Sequence, residues 1–202
     1  MHSPKSRQRV ARQPQRQRGR LRVAALLQAG AAVFEERGYG AATMAEVASR
    51  ARSPIGSLYR FFPHKEALAG ALLSQFGRTL DSALKEVQTR AKALSPAKLA
   101  DELIDVWWSL REERGAVVAL LEARGATLAL REQLRSRVRR RIAHILIACS
   151  PRLPRGRAQT MAAMLLQHLK GVASAYDERP TVGADVFAEG RIMCRLYLSE
   201  RL

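Results

Sequence analysis

The sequence TMAEVASRARSPIGSLYRFFPHKEALAGALLSQF (residues 43–76) governs how the rest of the chain is interpreted. Its pattern predicts a helix, a tight turn, a second short helix that ends at Pro63, and a further helix that opens near Lys65. Thr43 and Glu46 have the spacing of a capping box, in which each side chain satisfies the other residue's free backbone N–H group. Two short helices joined by a tight turn are typical of a helix-turn-helix motif.

The second helix of this motif is expected to have one apolar face and one outward face. Three apolar positions share one arc of the helical wheel: Ile55, Leu58 and Phe62. The opposite arc carries Ser57, Arg60 and Phe61, with Tyr59 at the boundary. Gly56 has no side chain and so permits close approach to a flat surface. Ser53 is expected to cap the helix, with Pro54 in its first turn.

The charge of the chain is concentrated at its N-terminal end. The 202 residues carry a formal net charge of +17, and residues 1–78 contain fourteen basic and four acidic residues. This asymmetry indicates a polyanionic partner for the N-terminal part. Residues 1–19 are rich in Arg, Gln and Pro and are expected to be disordered. They are interpreted either as a solubilising tail or as an arm that follows phosphate groups or enters a minor groove.

The segments LLQAGAAVFEERGYGAATMAEVA (residues 26–48) and GSLYRFFPHKEAL (residues 56–68) resemble the N-terminal domain of the TetR (tetracycline-repressor-like) family of bacterial regulators. The resemblance covers about fifty residues, with helix lengths and turn positions in register. It implies an all-α fold in which three helices form a DNA-binding head with a helix-turn-helix. A fourth helix would link this head to a larger helical domain for ligand binding and dimerisation.

The resemblance also implies a set of DNA contacts. Base-edge contacts would come from Ile55, Gly56 and Ser57, and contacts to the DNA backbone from Thr43, Tyr59, Arg60 and Lys65. The wheel and the charges agree for Ser57, Arg60 and Lys65. They leave Ile55 open between a base contact and a core position. An amphipathic Tyr59 can pack its ring and still present its hydroxyl group to a phosphate.

The turn departs from the family pattern. The family usually has Ala-Gly-Val-Ser there, whereas this chain has Ala51-Arg52-Ser53-Pro54. Arg52 replaces the turn glycine and is interpreted as a further phosphate contact. Ser53 replaces a buried valine, and this change is expected to lower stability.

Beyond residue 78, periodicity and Pro/Gly breaks predict helices at 79–94, 96–111, 115–124, 128–149, 155–177 and 183–200. An earlier helix is predicted at 20–37 and is expected to end at residues 38–40. The resulting domains are an arm (1–19), a helix-turn-helix domain (20–66), and an effector-binding and dimerisation domain (67–202).

Two groups of apolar residues in the larger domain are functional candidates, with ordinary core packing as the alternative for both. The candidates for an effector pocket are Trp107, Trp108, Met161, Met164 and His168. The candidates for a dimer interface are Leu165, Leu169, Val172, Phe187, Met193, Leu196 and Tyr197. Asp101, Glu102 and Asp105 are expected to form a solvated helix face, with a metal site as the alternative. A solvated face is also expected for the arginines of one helix, with an anionic-effector site as the alternative: Arg135, Arg137, Arg139, Arg140 and Arg141.

The sequence contains no pattern that indicates an enzyme, a metal site, a cofactor or a membrane span. We therefore expect a cytoplasmic, homodimeric regulator that binds double-stranded DNA, and more specifically a repressor released from a palindromic operator by a small-molecule effector. The alternatives are an effector-free or activating regulator of the same family, and a generic nucleic-acid-binding protein led by the basic tail.

Overall fold

A computed structural model describes residues 15–122, 128–178 and 181–202, and these residues form helices without any strand. The helices are α1 (Gln15–Ala41), α2 (Met44–Arg50), α3 (Ile55–Phe61), α4 (Lys65–Arg90), α5 (Pro96–Ser109), α6 (Arg111–Glu122), α7 (Leu128–Cys149), α8 (Arg155–Glu178) and α9 (Gly183–Arg201). The predicted all-α fold, with a helix-turn-helix head and a larger helical body, is confirmed.

The head consists of α1, α2 and α3, which pack against the start of α4. Its fully buried side chains include Leu26, Val47 and Leu58. Gly30 lies where α4 crosses α1, and a Cβ atom on it would be 2.9 Å from the side chain of Leu68. The absence of a side chain at residue 30 is therefore what lets the two helices approach this closely.

The end of α1 differs from the prediction. Gly38 has a φ of 72°, which interrupts the helical geometry, yet helical hydrogen bonding resumes and extends to Ala41. The predicted stop at residues 38–40 is therefore a kink. It turns the chain before α2 begins.

The long helix α4 also differs from the prediction. A single helix covers Lys65–Arg90, so the predicted start of a separate helix at residue 79 is wrong. The continuous burial of Leu72, Phe76, Leu80 and Leu84 along one side explains this, because no residue in the segment breaks the apolar stripe. The predicted domain boundary at residues 66 and 67 falls in the first turn of this helix.

In the body, α5 and α9 are joined by ion pairs. Asp101 accepts hydrogen bonds from Arg195 at 2.7 and 2.8 Å and from Arg191 at 3.1 Å, and Arg191 also binds Asp105. The arginines lower the pKa of Asp101. The expectation that this acidic group simply faces solvent is wrong, because arginines of α9 pair with Asp101 and Asp105, and Arg90 of α4 pairs with Glu102.

The expected disorder of residues 1–19 is wrong for its last part, since residues 15–19 form the start of α1. Residues 1–14 lie outside the described part of the chain, as do the predicted helix breaks at Gly125 and Pro180.

The turn between α2 and α3 keeps its tight geometry although it lacks the glycine. The backbone N–H of Arg52 donates to Ser49 O, and that of Ser53 donates to Ala48 O, both at 3.0 Å. This is the Schellman pattern of helix termination, which requires a left-handed residue directly after the cap. That residue is Arg52, with a φ of 47°.

Arg52→Gly is expected to raise the free energy of unfolding by about 1 kcal/mol, because glycine adopts the left-handed conformation without the steric cost that a Cβ atom imposes. Arg52→Ala is the matched control, since it removes the same charge and keeps the Cβ atom. Urea unfolding of both variants separates the two effects. Equal stability of the glycine and alanine variants would contradict a strained residue 52.

Candidate nucleic-acid interface and ligand cavity

The outward face of α3 is the most prominent exposed feature of the head. Ile55 and Tyr59 are 43% and 49% exposed, and Gly56 and Arg60 are also exposed. A Cβ atom on Gly56 would meet no other atom within 4 Å. Ile55 therefore does not belong to the core, which was one of its two interpretations.

The opposite face of α3 anchors the helix. Leu58 is fully buried and Phe62 is 7% exposed, as the wheel predicted. Phe61 was expected to face outward but is half-buried against the core, with the guanidinium of Arg60 5.0 Å from its ring centre. Phe61 lines a space together with Val23 and Leu27 of α1, so packing between helices rather than the helical wheel sets its burial.

Two serines of the motif differ from their expected roles. The hydroxyl oxygen of Ser53 is buried without a hydrogen-bond partner, so Ser53 does not cap α3, and the cap position is held by Pro54. The hydroxyl oxygen of Ser57 is likewise buried and without a partner. A base contact from Ser57 remains a prediction, and it would require this side chain to rotate outward.

Thr43 forms the predicted capping box with Glu46. The backbone N–H of Glu46 donates to Thr43 Oγ1 at 3.2 Å, and the backbone N–H of Thr43 donates to Glu46 Oε2 at 2.9 Å. The Thr43 hydroxyl group also donates to Glu46 at 2.8 Å, and these bonds lower the pKa of that carboxyl. The capping box thus fixes the start of α2, while Thr43 itself stays exposed.

Two arginines near the turn have different surroundings. Arg50 makes a two-point contact with Glu36 at 2.5 and 2.6 Å, which occupies it within the head. Arg52 is exposed in the turn that leads into α3. Arg52 is therefore better placed than Arg50 to contact a phosphate group.

Lys65 is held by the backbone that joins α1 to α2. Its ammonium group donates to the carbonyl oxygens of Tyr39, Gly40 and Ala42 at 2.7, 3.1 and 3.0 Å. The Tyr39 hydroxyl group in turn donates to Glu66 at 3.1 Å, and burial raises the pKa of Tyr39 to about 12. An ammonium group has three N–H donors, so all of them are engaged. The predicted phosphate contact from this ammonium would have to replace at least one of these bonds.

The body contains a cavity of about 760 Å³ between α4, α5, α6, α7 and α8. Its apolar wall includes Phe76, Leu80, Trp107, Val138 and Leu166. Its polar wall includes Arg114, Arg131, Arg135 and Lys170. The sequence did not reveal this combination because the four cations come from three helices.

Of the five predicted pocket residues, Trp107 lies in the wall of this cavity and the other four do not. Trp108 packs against Tyr176 and Phe187, with ring centres 4.6 and 4.3 Å away. His168 Nε2 lies 2.7 Å from Gly190 O and so joins α8 to α9. These two residues stabilise packing between helices.

Met161 and Met164 were also predicted to line the effector pocket, and neither lines this cavity. Met161 is 2% exposed and belongs to the core, whereas Met164 is 60% exposed and lies on the outer surface of α8.

The arginines of α7 were expected to face solvent, and two of them do not. Arg135 lines the cavity, and Arg141 binds Asp81 and Gln88, so neither simply faces solvent.

A second space, of about 970 Å³, lies where the head meets the body, between α1, α4 and α6. Its wall includes Val23, Leu27 and Phe61 from the head. Phe76 and Val117 line both this space and the cavity in the body. Gly115 of α6 adjoins Glu35 of α1 so closely that a Cβ atom would lie 2.1 Å from the carboxylate.

The candidate dimer residues divide into buried and exposed groups. Leu165 and Leu169 are 2% and 3% exposed, so they complete the core of the protomer. Val172 packs against Gly190, and Phe187 packs against Trp108. Tyr197 is half-buried against the core. Only Met193 and Leu196 keep large exposed apolar surfaces.

The exposed apolar surface of α8 and α9 therefore consists of other residues than predicted. It comprises Met164, Ile192, Met193 and Leu196, which are 60%, 45%, 59% and 66% exposed. The two helices run antiparallel, because Tyr176 adjoins Gly183 and His168 adjoins Gly190. Met164 lies one turn before His168 on α8, and Met193 lies one turn after Gly190 on α9. The two methionines are therefore at the same height along the antiparallel pair. We call these four residues the α8–α9 surface.

Residues 26–72 match the family of bacterial regulatory proteins described as the tetR family. The HTH-type transcriptional repressor DhaR of Mycobacterium sp. (strain GP1) is 36% identical over 81 residues, which cover 38% of this chain and 37% of that repressor. The N-terminal segment of the chain, residues 26–72, therefore matches the tetR family. The matched segment contains α2, α3 and the turn at Arg52. It also contains Lys65 and the three backbone carbonyl groups that bind its ammonium group.

Solved structures show that the similarity in fold extends through the body. The SmeT–triclosan complex has a TM-score of 0.74 at 18% identity, covering 89% of this chain and 91% of that one. The regulator FadR from Bacillus subtilis, in complex with stearoyl-CoA, has a TM-score of 0.66 at 16% identity, covering 87% of this chain and 97% of that one.

None of the helices in the described part of the chain has the length and apolar character that a membrane span requires.

Lys65→Met is expected to lower the free energy of unfolding of this protein by about 1–3 kcal/mol, because three backbone carbonyl groups lose a charged donor. Lys85→Met is the matched control on the exposed side of the same helix and should change stability by less than about 0.5 kcal/mol. Urea unfolding measures both. Equal effects of the two substitutions would contradict a stabilising role for the hydrogen bonds of Lys65.

Proposed function

We propose that this protein is a transcriptional repressor that binds a palindromic DNA operator as a homodimer and is released by a small molecule bound in its body. The observation that carries this proposal is the exposed face of α3. That face is held rigidly by Leu58 and Phe62 and belongs to the most basic part of the chain. A short helix of this kind can enter the major groove, where base edges are read.

The proposed DNA contacts follow from the geometry of the head. Ile55 and Gly56 are exposed in the first turn of α3 and would contact base edges. Arg52, Tyr59 and Arg60 are also exposed and would contact the phosphate backbone. Thr43, Ser57 and Lys65 stay in the proposed interface, although their polar groups are buried or engaged in the free protein. Phosphate contacts give affinity and register, whereas base contacts give sequence preference.

The proposed dimer uses the α8–α9 surface. Four large apolar side chains exposed on two adjacent helices are a typical self-association surface, because pairing with their copies forms a four-helix interface. A two-fold dimer would place two copies of α3 one helical turn of DNA apart, about 34–36 Å, or a multiple of that. This geometry supports a palindromic site.

The proposed release from DNA depends on the cavity of the body, which α4, α5, α6, α7 and α8 enclose. Its volume of about 760 Å³ is in the range of small-molecule sites. Two similar structures were solved with small molecules, triclosan and stearoyl-CoA. In this chain, α6 lines the cavity with Arg114 and Val117 and also packs on α1 of the head at Gly115. A ligand that repositions α6 would therefore act on the head.

The test is selection of bound fragments from genomic DNA, followed by footprinting and a reporter assay with the selected site. A protected palindrome and lower reporter expression would support repression, and higher expression would indicate an activator. Binding that ignores sequence and disappears when residues 1–14 are deleted would instead support a nucleic-acid-binding protein led by the tail.

Gly56→Ala is expected to weaken binding to the selected operator by about 1–3 kcal/mol, because a new Cβ atom would stand between α3 and the base edges. Folding should not suffer, since no atom lies within 4 Å of that position and alanine favours helix. Gly156→Ala is the matched control in equally open space on α8. Fluorescence anisotropy measures binding, and unchanged affinity of Gly56→Ala would argue against α3 as the reading helix.

Leu196→Glu is expected to convert the dimer into a monomer at micromolar concentration, because an unpaired charge would be buried in an apolar interface. Leu128→Glu is the matched control, since Leu128 is 62% exposed at the start of α7, outside the α8–α9 surface. Sedimentation velocity measures both. A dimer that survives Leu196→Glu would exclude this surface as the interface.

A further inference from the structure

The cavity in the body has one wall that is typical of a ligand site and one that is not. Its apolar wall, with Phe76, Leu80 and Trp107, would suit many hydrophobic molecules. The other wall carries four cationic side chains from three helices: Arg114, Arg131, Arg135 and Lys170. Four cations around an apolar space are expensive to assemble, because desolvated charges are stable only when they are paired.

The cations of α7 and α8 act on one another. Arg131 and Arg135 lie one helical turn apart on α7, a spacing at which like charges destabilise a helix. Burial lowers the pKa of Lys170, and the charges of Arg135 and Arg131 lower it further. Lys170 donates a hydrogen bond only to the neutral Gln167, at 3.2 Å. Among the described residues, Arg135 and Lys170 therefore have no carboxylate partner.

Three hydrogen-bond donors of the cavity residues have no acceptor. They are Trp107 Nε1, Arg114 Nη1 and Arg135 Nε, and all three atoms are buried. Arg114 is only 7% exposed, and its other terminal nitrogen donates to Asp177 at 2.9 Å. A buried donor without a partner costs free energy that an acceptor from a ligand would restore.

The carboxylates in the described wall do not balance these cations. Asp177 is bound by Arg114, and its side chain is 59% exposed. Glu178 accepts a hydrogen bond from Ser174 at 2.8 Å and is exposed. Both acids lie at the end of α8, one side of the cavity, and neither makes an ion pair with Arg135 or Lys170. Within the described wall, neither of those two cations has a carboxylate partner, so both can bind an anionic ligand.

We propose that the effector is an anionic amphiphile: a carboxylate or phosphate monoester joined to an apolar body. Its acidic group accepts hydrogen bonds from Arg114, Arg135 and Lys170, and its apolar part lies against Phe76, Leu80 and Trp107. This inference rests on the proposed function, since it names the chemical class of the effector for the cavity assigned there.

The direct test is calorimetric titration of the full-length protein with four probes that share one alkyl chain: decanoate, decyl phosphate, 1-decanol and decylamine. The two anions are expected to bind at least tenfold more tightly than the alcohol, and the amine is expected not to bind. Preference between decanoate and decyl phosphate shows which acidic group the site favours. Equal binding of alcohol and anions, tighter binding of the amine, or no binding by any probe would overturn the proposal.

The variant Arg135→Gln tests the location of the acidic group. It should weaken binding of the tighter anion about tenfold or more and leave binding of 1-decanol unchanged, because a charge-assisted hydrogen bond is lost. Arg140→Gln is the matched control, since Arg140 is exposed on the same helix and does not line the cavity. Lys170→Met provides a second variant if Arg135→Gln does not fold. Equal weakening by Arg140→Gln would place the effect outside the cavity.

Titration without DNA keeps this inference separable from the proposed function. If the anions bind selectively but no DNA sequence is selected, the cavity proposal stands and the repressor proposal fails. If an operator is selected and the anions do not bind selectively, the repressor proposal stands and the anionic effector is overturned. When both hold, adding the tighter anion should release the operator, as measured by anisotropy.

Discussion

The three hydrogen bonds of the Lys65 ammonium group are the contact on which the arrangement of the head depends. They join the first residue of α4 to the carbonyl groups of Tyr39, Gly40 and Ala42, between the kink of α1 and the start of α2. The C-terminal end of a helix presents unsatisfied carbonyl groups, so a cation there stabilises both the helix end and the following turn. The same helix α4 continues without a break from Lys65 to Phe76, roughly 16 Å further on, and Phe76 lines the cavity. The hydrogen bonds of Lys65 therefore connect the head to the cavity wall through one helix.

Arg52 shows how the motif retains its shape without its usual glycine. The left-handed conformation of a residue with a side chain costs about 1–2 kcal/mol. The two Schellman hydrogen bonds to Ser49 and Ala48, together with the burial of Val47 and Leu58 on either side of the turn, hold the conformation in place. Strain of this kind concentrates at functional positions. Here it holds an exposed arginine in the turn that precedes α3, a position that fits the proposed phosphate contact.

Sequence patterns predicted those features that depend on neighbouring residues. The capping box of Thr43 and Glu46, the buried Leu58 and Phe62, and most helix bounds follow from local spacing. The patterns failed where the answer depends on which helix packs on which face. Met164 and Leu165 are adjacent on α8, yet the former is exposed and the latter is buried. Arg135 resembled a solvated arginine because only the fold reveals that Lys170 and Arg114 approach it from other helices.

The magnitude of the required coupling limits how an effector can work in such an arrangement. A ligand releases DNA only through its differential affinity for the two states of the protein. A nearly complete shift between the states requires about 5.5 kcal/mol. A hydrogen bond to a charged group contributes about 1.5–3 kcal/mol, so one contact is insufficient and about two to four that form only in the released state are needed. Arg114, Arg135 and Lys170 offer such contacts from three different helices. Drawing them toward one anion would move α6, and the close contact of Gly115 with Glu35 would pass that movement to α1.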